Sequence, residues 1–251
     1  MMSRHRRLLA ALADDGRLEI ERARLVALVV RLLELPPPPD HVRQFPHFVQ
    51  LQVALAEAAA AGDGEAIEER FLELYCHLHM HEAPYTAEER RVVDATGGYW
   101  CHAGGLSPVL KAGQWIRPDT VSADYGAGNG LQALLLQLLY PHRCSVQIEI
   151  SGRMATIGQG LQAWLGIDED RVSWHVSDVR EVPARGFDFI YLYRPVRPEG
   201  AGLDFYRGFA ADLAAAEHEV VIFSIADCLG SFLPERFVRF YHDGHLACYR
   251  G

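Results

Sequence analysis

Between residues 121 and 130 the chain runs Val121-Ser122-Ala123-Asp124-Tyr125-Gly126-Ala127-Gly128-Asn129-Gly130, and an apolar helical stretch, Leu131–Tyr140, follows at once. A β-like run that passes through glycines into a helix is suited to holding a small ligand. Glycines turn the chain sharply and let backbone approach the ligand closely. The helix start adds free N–H groups and partial positive charge. Spacing then narrows the choice. A dinucleotide fold wants G-x-G-x-x-G, but counting from Gly126 the third glycine would fall at Leu131. The run is instead G-x-G-x-G with an acid, Asp124, two residues ahead of it. A phosphate-binding G-x-x-x-x-G-K-[ST] is excluded, because the single lysine, Lys111, stands in no such run.

Other residues of the right type follow. Val146-Gln147-Ile148-Glu149 ends in a carboxylate 25 residues after Asp124. A strand-end acid at that distance can accept both hydroxyls of a ribose, and Ile150 next to it can pack on a flat base. Ser177-Asp178-Val179 places an acid after a third β-like run, where it also suits a helix N-cap. A fourth run ends in Tyr193-Arg194-Pro195, offering a phenol to orient a substrate and a guanidinium to grip an anion. Upstream, four glycines surround Tyr99-Trp100-Cys101-His102, which predicts a shaped loop. Tyr99, Trp100 and His102 are candidates to line the site, with His102 a candidate base; the competing reading is an aromatic anchor. In Cys76-His77-Leu78-His79-Met80-His81, His77 and His81 share a helix face at a spacing that suits zinc. The glutamate of H-E-x-x-H is missing, and His81 continues an apolar stripe, so no metal site is assigned.

Bulk properties set limits on these chemistries. The chain has 251 residues, enough for one large domain or two small ones. Its net charge of −9 argues against a protein that grips nucleic acid through phosphates. Five scattered cysteines, Cys76, Cys101, Cys144, Cys228 and Cys248, form no C-x-x-C pair. That fits a reducing cytoplasm better than a disulfide framework. The basic, then apolar, start of the chain imitates a signal peptide, but Asp14-Asp15 interrupts it early. No stretch reaches the length of a membrane span. The expectation is a cytoplasmic protein with no membrane contact; the oligomeric state is open.

The elements that must position these residues divide the chain in two. The first part reads as helical: Leu18–Leu35 up to the stiff Pro36–Pro39 connector, Phe48–Ala61 closed by Gly62, and Glu65 to about His81. A fourth helix is opened by the capping box of Thr86-Ala87-Glu88-Glu89 and ends near Gly97. After it, β-like runs at Val121–Tyr125, Ser145–Ile150, Val172–Val176, Phe187–Tyr193 and Glu219–Ile225 enclose helical segments at Leu131–Tyr140, Met154–Leu165 and Leu203–Ala216. Such alternation predicts βαβ units and a parallel sheet covered on both faces. Phe237–His242 and His245–Arg250 flank Asp243-Gly244, a two-residue hairpin signal. The predicted fold is α/β: a doubly wound, mostly parallel seven-stranded sheet with an antiparallel C-terminal hairpin. A helical domain over 1–114, for substrate selection or as a lid, would precede a core over 115–251.

Asp-x-Gly-x-Gly-x-Gly after a strand resembles the first motif of the class I S-adenosylmethionine (SAM) dependent methyltransferases. The resemblance covers about Trp115 to Gly251. It implies a loop, Gly126, Ala127, Gly128, Asn129 and Gly130, that cradles the methionine end of SAM, with Asp124 holding the amino group. It also implies Glu149 on the ribose, and Ile150, Asp178 and Val179 at the adenine. The segment after the fourth strand departs from the Asn-Pro-Pro-Tyr type of motif, which puts methylation of an amide or exocyclic amine in doubt. The implied function is methyl transfer to a small-molecule acceptor, with Tyr193, Arg194, His102 and Tyr99 as catalytic candidates. The alternatives are a non-catalytic SAM-binding or metal-binding module, and an aminopropyl-type transferase on the same scaffold.

Overall fold

The computed structural model describes residues 20–80, 85–99 and 106–251. Seven strands form one sheet: β1 (Val121–Tyr125), β2 (Cys144–Glu149), β3 (Val172–Val176), β4 (Phe189–Tyr193), β5 (Val221–Ile225), β6 (Val238–His242) and β7 (Leu246–Arg250). Their order is β3-β2-β1-β4-β5-β7-β6. The first five pair in parallel, and β7 runs antiparallel between β5 and β6. This is the doubly wound sheet with an antiparallel terminal hairpin that the alternating pattern predicts. The central strands are buried on both faces, which is why they read as nearly continuous apolar runs.

The hairpin differs by one residue from the expectation. His242 pairs with Ala247, and the Asp243 N–H donates to the Leu246 carbonyl, so the two-residue loop is Gly244-His245. Gly244 supplies the positive φ (91°). The Asp243 carboxylate instead accepts the N–H groups of His245 and Leu246. The spans after Val176 and after Ile225 contain only short 3₁₀ turns.

The N-terminal helices are α1 (Ile20–Glu34), α2 (His41–Gln44), α3 (Phe48–Ala61), α4 (Gly64–Leu78), α5 (Ala87–Ala95) and α6 (Ser107–Lys111). Within the sheet region lie α7 (Leu131–Leu139), α8 (Gly152–Leu165) and α9 (Ala201–Ala214). Helix α9 covers one face of the sheet through Phe205, Phe209 and Leu213. Helices α7 and α8 cover the other, and α1, α3 and α4 pack on them in one continuous core that joins Leu28, Phe48 and Phe71 to Leu134 and Leu161. Residues on both sides of position 115 therefore share a core.

That layering explains the composition of α7. It is sandwiched between the sheet and the N-terminal helices, and every residue from Leu131 to Gln137 is buried. A helix buried all round must be apolar all round. Its two glutamines are both satisfied: Gln132 accepts from Tyr75 Oη, and Gln137 donates to the carbonyls of His142 and Arg171. Polar ties also cross between the two parts of the chain. Arg31 reaches the Leu165 carbonyl, Trp164 Nε1 the Pro36 carbonyl, and Asn129 Nδ2 the Leu78 carbonyl. No helix among the described residues is long and apolar enough to cross a membrane.

Candidate functional site

Strand order reverses between β1 and β4: β2 and β3 lie to one side of β1, β4 and β5 to the other. Ligands of open α/β sheets bind at this switch point, beyond the carboxyl ends of the strands. A cavity lies there. Asp124, Gly126, Ala127 and Gly128 wall it from β1 and its loop, Glu149 and Ile150 from β2, Asp178 and Val179 from the turn after β3, and Tyr191 and Tyr193 from β4.

The loop has its shape because glycine adopts it without strain. Gly126, Gly128 and Gly130 have φ of 81°, 60° and 66°, the left-handed region that side chains with a Cβ avoid. The N–H groups of Gly126 and Ala127 both donate to the Ile148 carbonyl, which ties the start of the loop to β2. A Cβ on Gly158 of α8 would collide with the Trp174 ring and come within 2.6 Å of the Asn129 carbonyl oxygen. Glycine at 158 is what lets α8 close on the loop.

Glu149 is 2% exposed and well held. Its Oε2 accepts the Gly128 N–H at 2.8 Å, and its Oε1 accepts the Ser151 N–H at 2.8 Å and the Tyr85 hydroxyl at 3.2 Å. Burial raises its pKa to about 7, although these three donors pull the other way. Asp124 is 3% exposed. Burial, reinforced by the nearby charge of Glu149, raises its pKa to about 8. The Asp178 carboxylate is already engaged: it caps the following turn through the Arg180 N–H and pairs with the Arg180 guanidinium at 2.6 Å. That pairing lowers its pKa.

The N-terminal helices complete the cavity. His79, Tyr85, Val93, Thr96, Gly98 and Tyr99 line it. Tyr85 precedes α5, whose capping box (Thr86 with Glu89) does a second job. Glu89 also accepts from Ser151 Oγ and pairs with Arg153, binding α5 to the start of α8. Burial pushes the Glu89 pKa up, but hydrogen bonds from Ser151, Arg153 and Thr86 outweigh it and bring the value to about 2.

Residues 97–99 lie against the segment after β4. The Tyr99 N–H donates to the Pro195 carbonyl, the Arg197 N–H donates to the Gly97 carbonyl, and Gly98 bridges Val196. The guanidiniums of Arg194 and Arg197 stand 5.0 and 5.2 Å from the centre of the Tyr99 ring, and Arg194 Nη2 donates to its hydroxyl. Arg194 adopts a positive φ of 31°. The cavity is lined by Tyr193, Pro195, Val196 and Tyr99 but not by Arg194, so the guanidinium supports Tyr99 rather than facing the cavity.

Of the sequence-selected residues, the structure gathers Asp124, Gly126, Ala127, Gly128, Glu149, Ile150, Asp178, Val179, Tyr193 and Tyr99 around one cavity. Asn129 and Gly130 stand behind it: Asn129 is fully buried and fastens the loop to α4, and Gly130 caps α7. Trp100, His102 and His81 fall outside the described residues. Among the described residues no cluster of three or more potential metal ligands occurs, and His77 Nε2 accepts the His47 N–H. Sequence reasoning missed Tyr85, His79, Gln132 and Tyr191. Tyr191 alone carried a readable signal, since residues two apart on a strand share a face with one another, as Tyr191 and Tyr193 do.

Sheet order, glycine loop and paired strand-end carboxylates together make a doubly wound α/β fold with a cavity at its switch point. No protein-family model matches the chain, and no curated protein matches it in sequence. Solved structures resemble it over part of its length. An RNA methyltransferase from Salinibacter ruber in complex with S-adenosyl-L-homocysteine is 20% identical, with a TM-score of 0.44, over 58% of this chain and 87% of that one. The putative methyltransferase YhhF from Escherichia coli is 16% identical, with a TM-score of 0.45, over 61% of this chain and 94% of that one. TrmN from Thermus thermophilus is 16% identical, with a TM-score of 0.45, over 57% of this chain and 47% of that one.

Proposed function

We propose that this chain is a SAM-dependent methyltransferase acting on a small molecule. One observation carries the reading: Asp124 and Glu149, two buried carboxylates at adjacent strand ends, face the same cavity from either side of Gly126–Gly128. Asp124 suits the ammonium of a methionine moiety, and Glu149 suits a ribose diol. Ile150 and Val179 offer apolar flanks for adenine, and Asp178 holds its turn in place. The left-handed glycines leave the loop free of side chains where the ligand must come close. The donor set fits SAM.

When bound, SAM supplies an activated methyl on a sulfonium. The chain's task is then to align an acceptor in line with it and to keep water away. Tyr99 and Tyr193, with Val93, Pro195 and Val196, form the end of the cavity beyond β4. Tyr99, Tyr193 and His79 are the groups placed to orient an acceptor or take its proton. The strap at residues 97–99 is bonded to the segment after β4 and lines the cavity with it, which favours a confined small molecule over an extended polymer. The net charge of −9 points the same way. Residues before 115 thereby serve acceptor selection, through α5 and the strap. An aminopropyl-type transferase would want carboxylates at the acceptor end, and none of these five residues carries one.

Calorimetry with SAM and S-adenosylhomocysteine tests the cofactor; micromolar binding is expected, and no binding below millimolar overturns it. Transfer of a labelled methyl group into a cell extract tests the acceptor. Label in the low-molecular-weight fraction is expected, and label confined to RNA overturns the small-molecule reading. Binding of SAM with label in no fraction would favour a non-catalytic SAM-binding module.

A further inference from the structure

Asp124 and Tyr191 are register partners across the parallel β1–β4 ladder. Directly paired residues on neighbouring strands point to the same face, with backbones about 4.8 Å apart. Ile190 and Leu192 face α9, so Tyr191 and Asp124 face the cavity side. Tyr191 is 7% exposed, and its hydroxyl, fully buried, has no hydrogen-bond partner. Buried polar groups in folded proteins are almost always satisfied, so an orphan hydroxyl on a cavity-lining strand residue, paired in register with a buried carboxylate, calls for a reason.

The chemistry of the pair is complementary. One is an acceptor that becomes anionic, and the other is a hydroxyl with a proton to donate. An α-amino-acid group presents the mirror image, an ammonium beside a carboxylate. We infer that Tyr191 is a ligand-binding residue: its hydroxyl donates to the carboxylate of the bound cofactor's methionine end while Asp124 accepts from the ammonium. This rests on the SAM reading above and adds to it a two-point clamp built from opposed positions of β1 and β4. The clamp makes the site selective for ligands that keep the whole amino-acid end.

The orphan state supplies a test that separates binding from structural support. Removing an unsatisfied buried hydroxyl takes away a group that the ligand-free fold holds at a cost. Tyr191→Phe should therefore melt at the same temperature as the natural chain or higher when free of ligand. Its affinity for S-adenosylhomocysteine should fall about tenfold, the scale of a hydrogen bond to a charged group. Its affinity for methylthioadenosine, which lacks the amino-acid end, should not change. Equal loss for both ligands, unchanged S-adenosylhomocysteine binding, or a lower melting temperature would each overturn the clamp. Failure of the natural chain to bind S-adenosylhomocysteine would instead overturn the underlying SAM reading.

Discussion

The Tyr85 hydroxyl donates to Glu149 Oε1 at 3.2 Å, so a residue from the N-terminal helical region completes the shell of a carboxylate at the end of β2. Tyr85 is itself held where it is by the Glu89 contacts to Ser151 and Arg153. The carboxylate and its third donor thus come from segments 64 residues apart.

This contact has a measurable consequence. Glu149 titrates at about 7, raised by burial and restrained by its donors. A carboxyl must be ionised to accept two ribose hydroxyls well. Tyr85→Phe removes one donor and moves the Glu149 pKa further up. SAM affinity should then fall severalfold at pH 7 and recover by pH 8.5, when the carboxylate is ionised in both proteins. Calorimetry across that range checks it; an equal loss at every pH would show that Tyr85 acts only by packing.

Asp124 gives a second pH signature. Its pKa is raised from an ordinary 3.8 to about 8 by burial and by Glu149. In the ligand-free protein the folded state holds a proton that the unfolded chain has lost. The stability linked to that proton is full below about pH 4, declines as pH rises, and is gone above about pH 8. Asp124→Asn should remove this decline, seen as a flatter melting temperature between pH 5 and 8. An ammonium bound beside Asp124 favours the ionised form. SAM affinity should therefore rise with pH up to about 8 in the natural chain, and the Asn variant should keep only the part set by Glu149, complete by about one pH unit lower.

Gly158 should prove as exacting as the loop glycines. A Cβ there meets the Trp174 ring and the Asn129 carbonyl oxygen. Gly158→Ala is expected to destabilise the protein by about 1–3 kcal/mol through overpacking. Thermal melting measures this. Gly160, two residues on, has open space around its Cβ position, and Gly160→Ala should leave the melting temperature unchanged or raise it.

Arg194 and Arg197 flank Tyr99 at 5.0 and 5.2 Å. Each such contact is worth about 0.5–1 kcal/mol near a surface. Arg194→Gln or Arg197→Gln should loosen the strap, read as faster amide exchange at Tyr99 and Arg197, whose N–H groups bridge the two segments. Cofactor affinity should change little, because neither guanidinium lines the cavity. A tenfold loss of SAM affinity in Arg194→Gln would give that side chain a direct ligand role.

Local pattern was sufficient for most of the sheet and for its loop. Periodicity located β1, β3 and the helix Phe48–Ala61 to the residue and the other strands within two, while the helix expected to reach about His81 ends at Leu78. Positive φ at Gly126, Gly128 and Gly130 is a property of residue type, so the loop was legible from spacing alone. The hairpin slipped by one residue because Asp243 pairs with Leu246 and uses its side chain as a cap rather than its backbone as a loop position.

Only the tertiary structure decided what else meets those residues. Tyr85 reaching Glu149, Arg194 supporting Tyr99 instead of entering the cavity, and Tyr191 facing Asp124 with an unmet hydroxyl all depend on packing between distant segments. Such packing is set by which apolar faces bury together, and α7, buried all round, gives no facial bias in sequence to show which neighbours it will take. The sequence by itself determined a glycine loop with an acid before it and a second acid one strand on. The fold decided that both acids are buried beside each other, and with that their charge, their partners and the chemistry open to them.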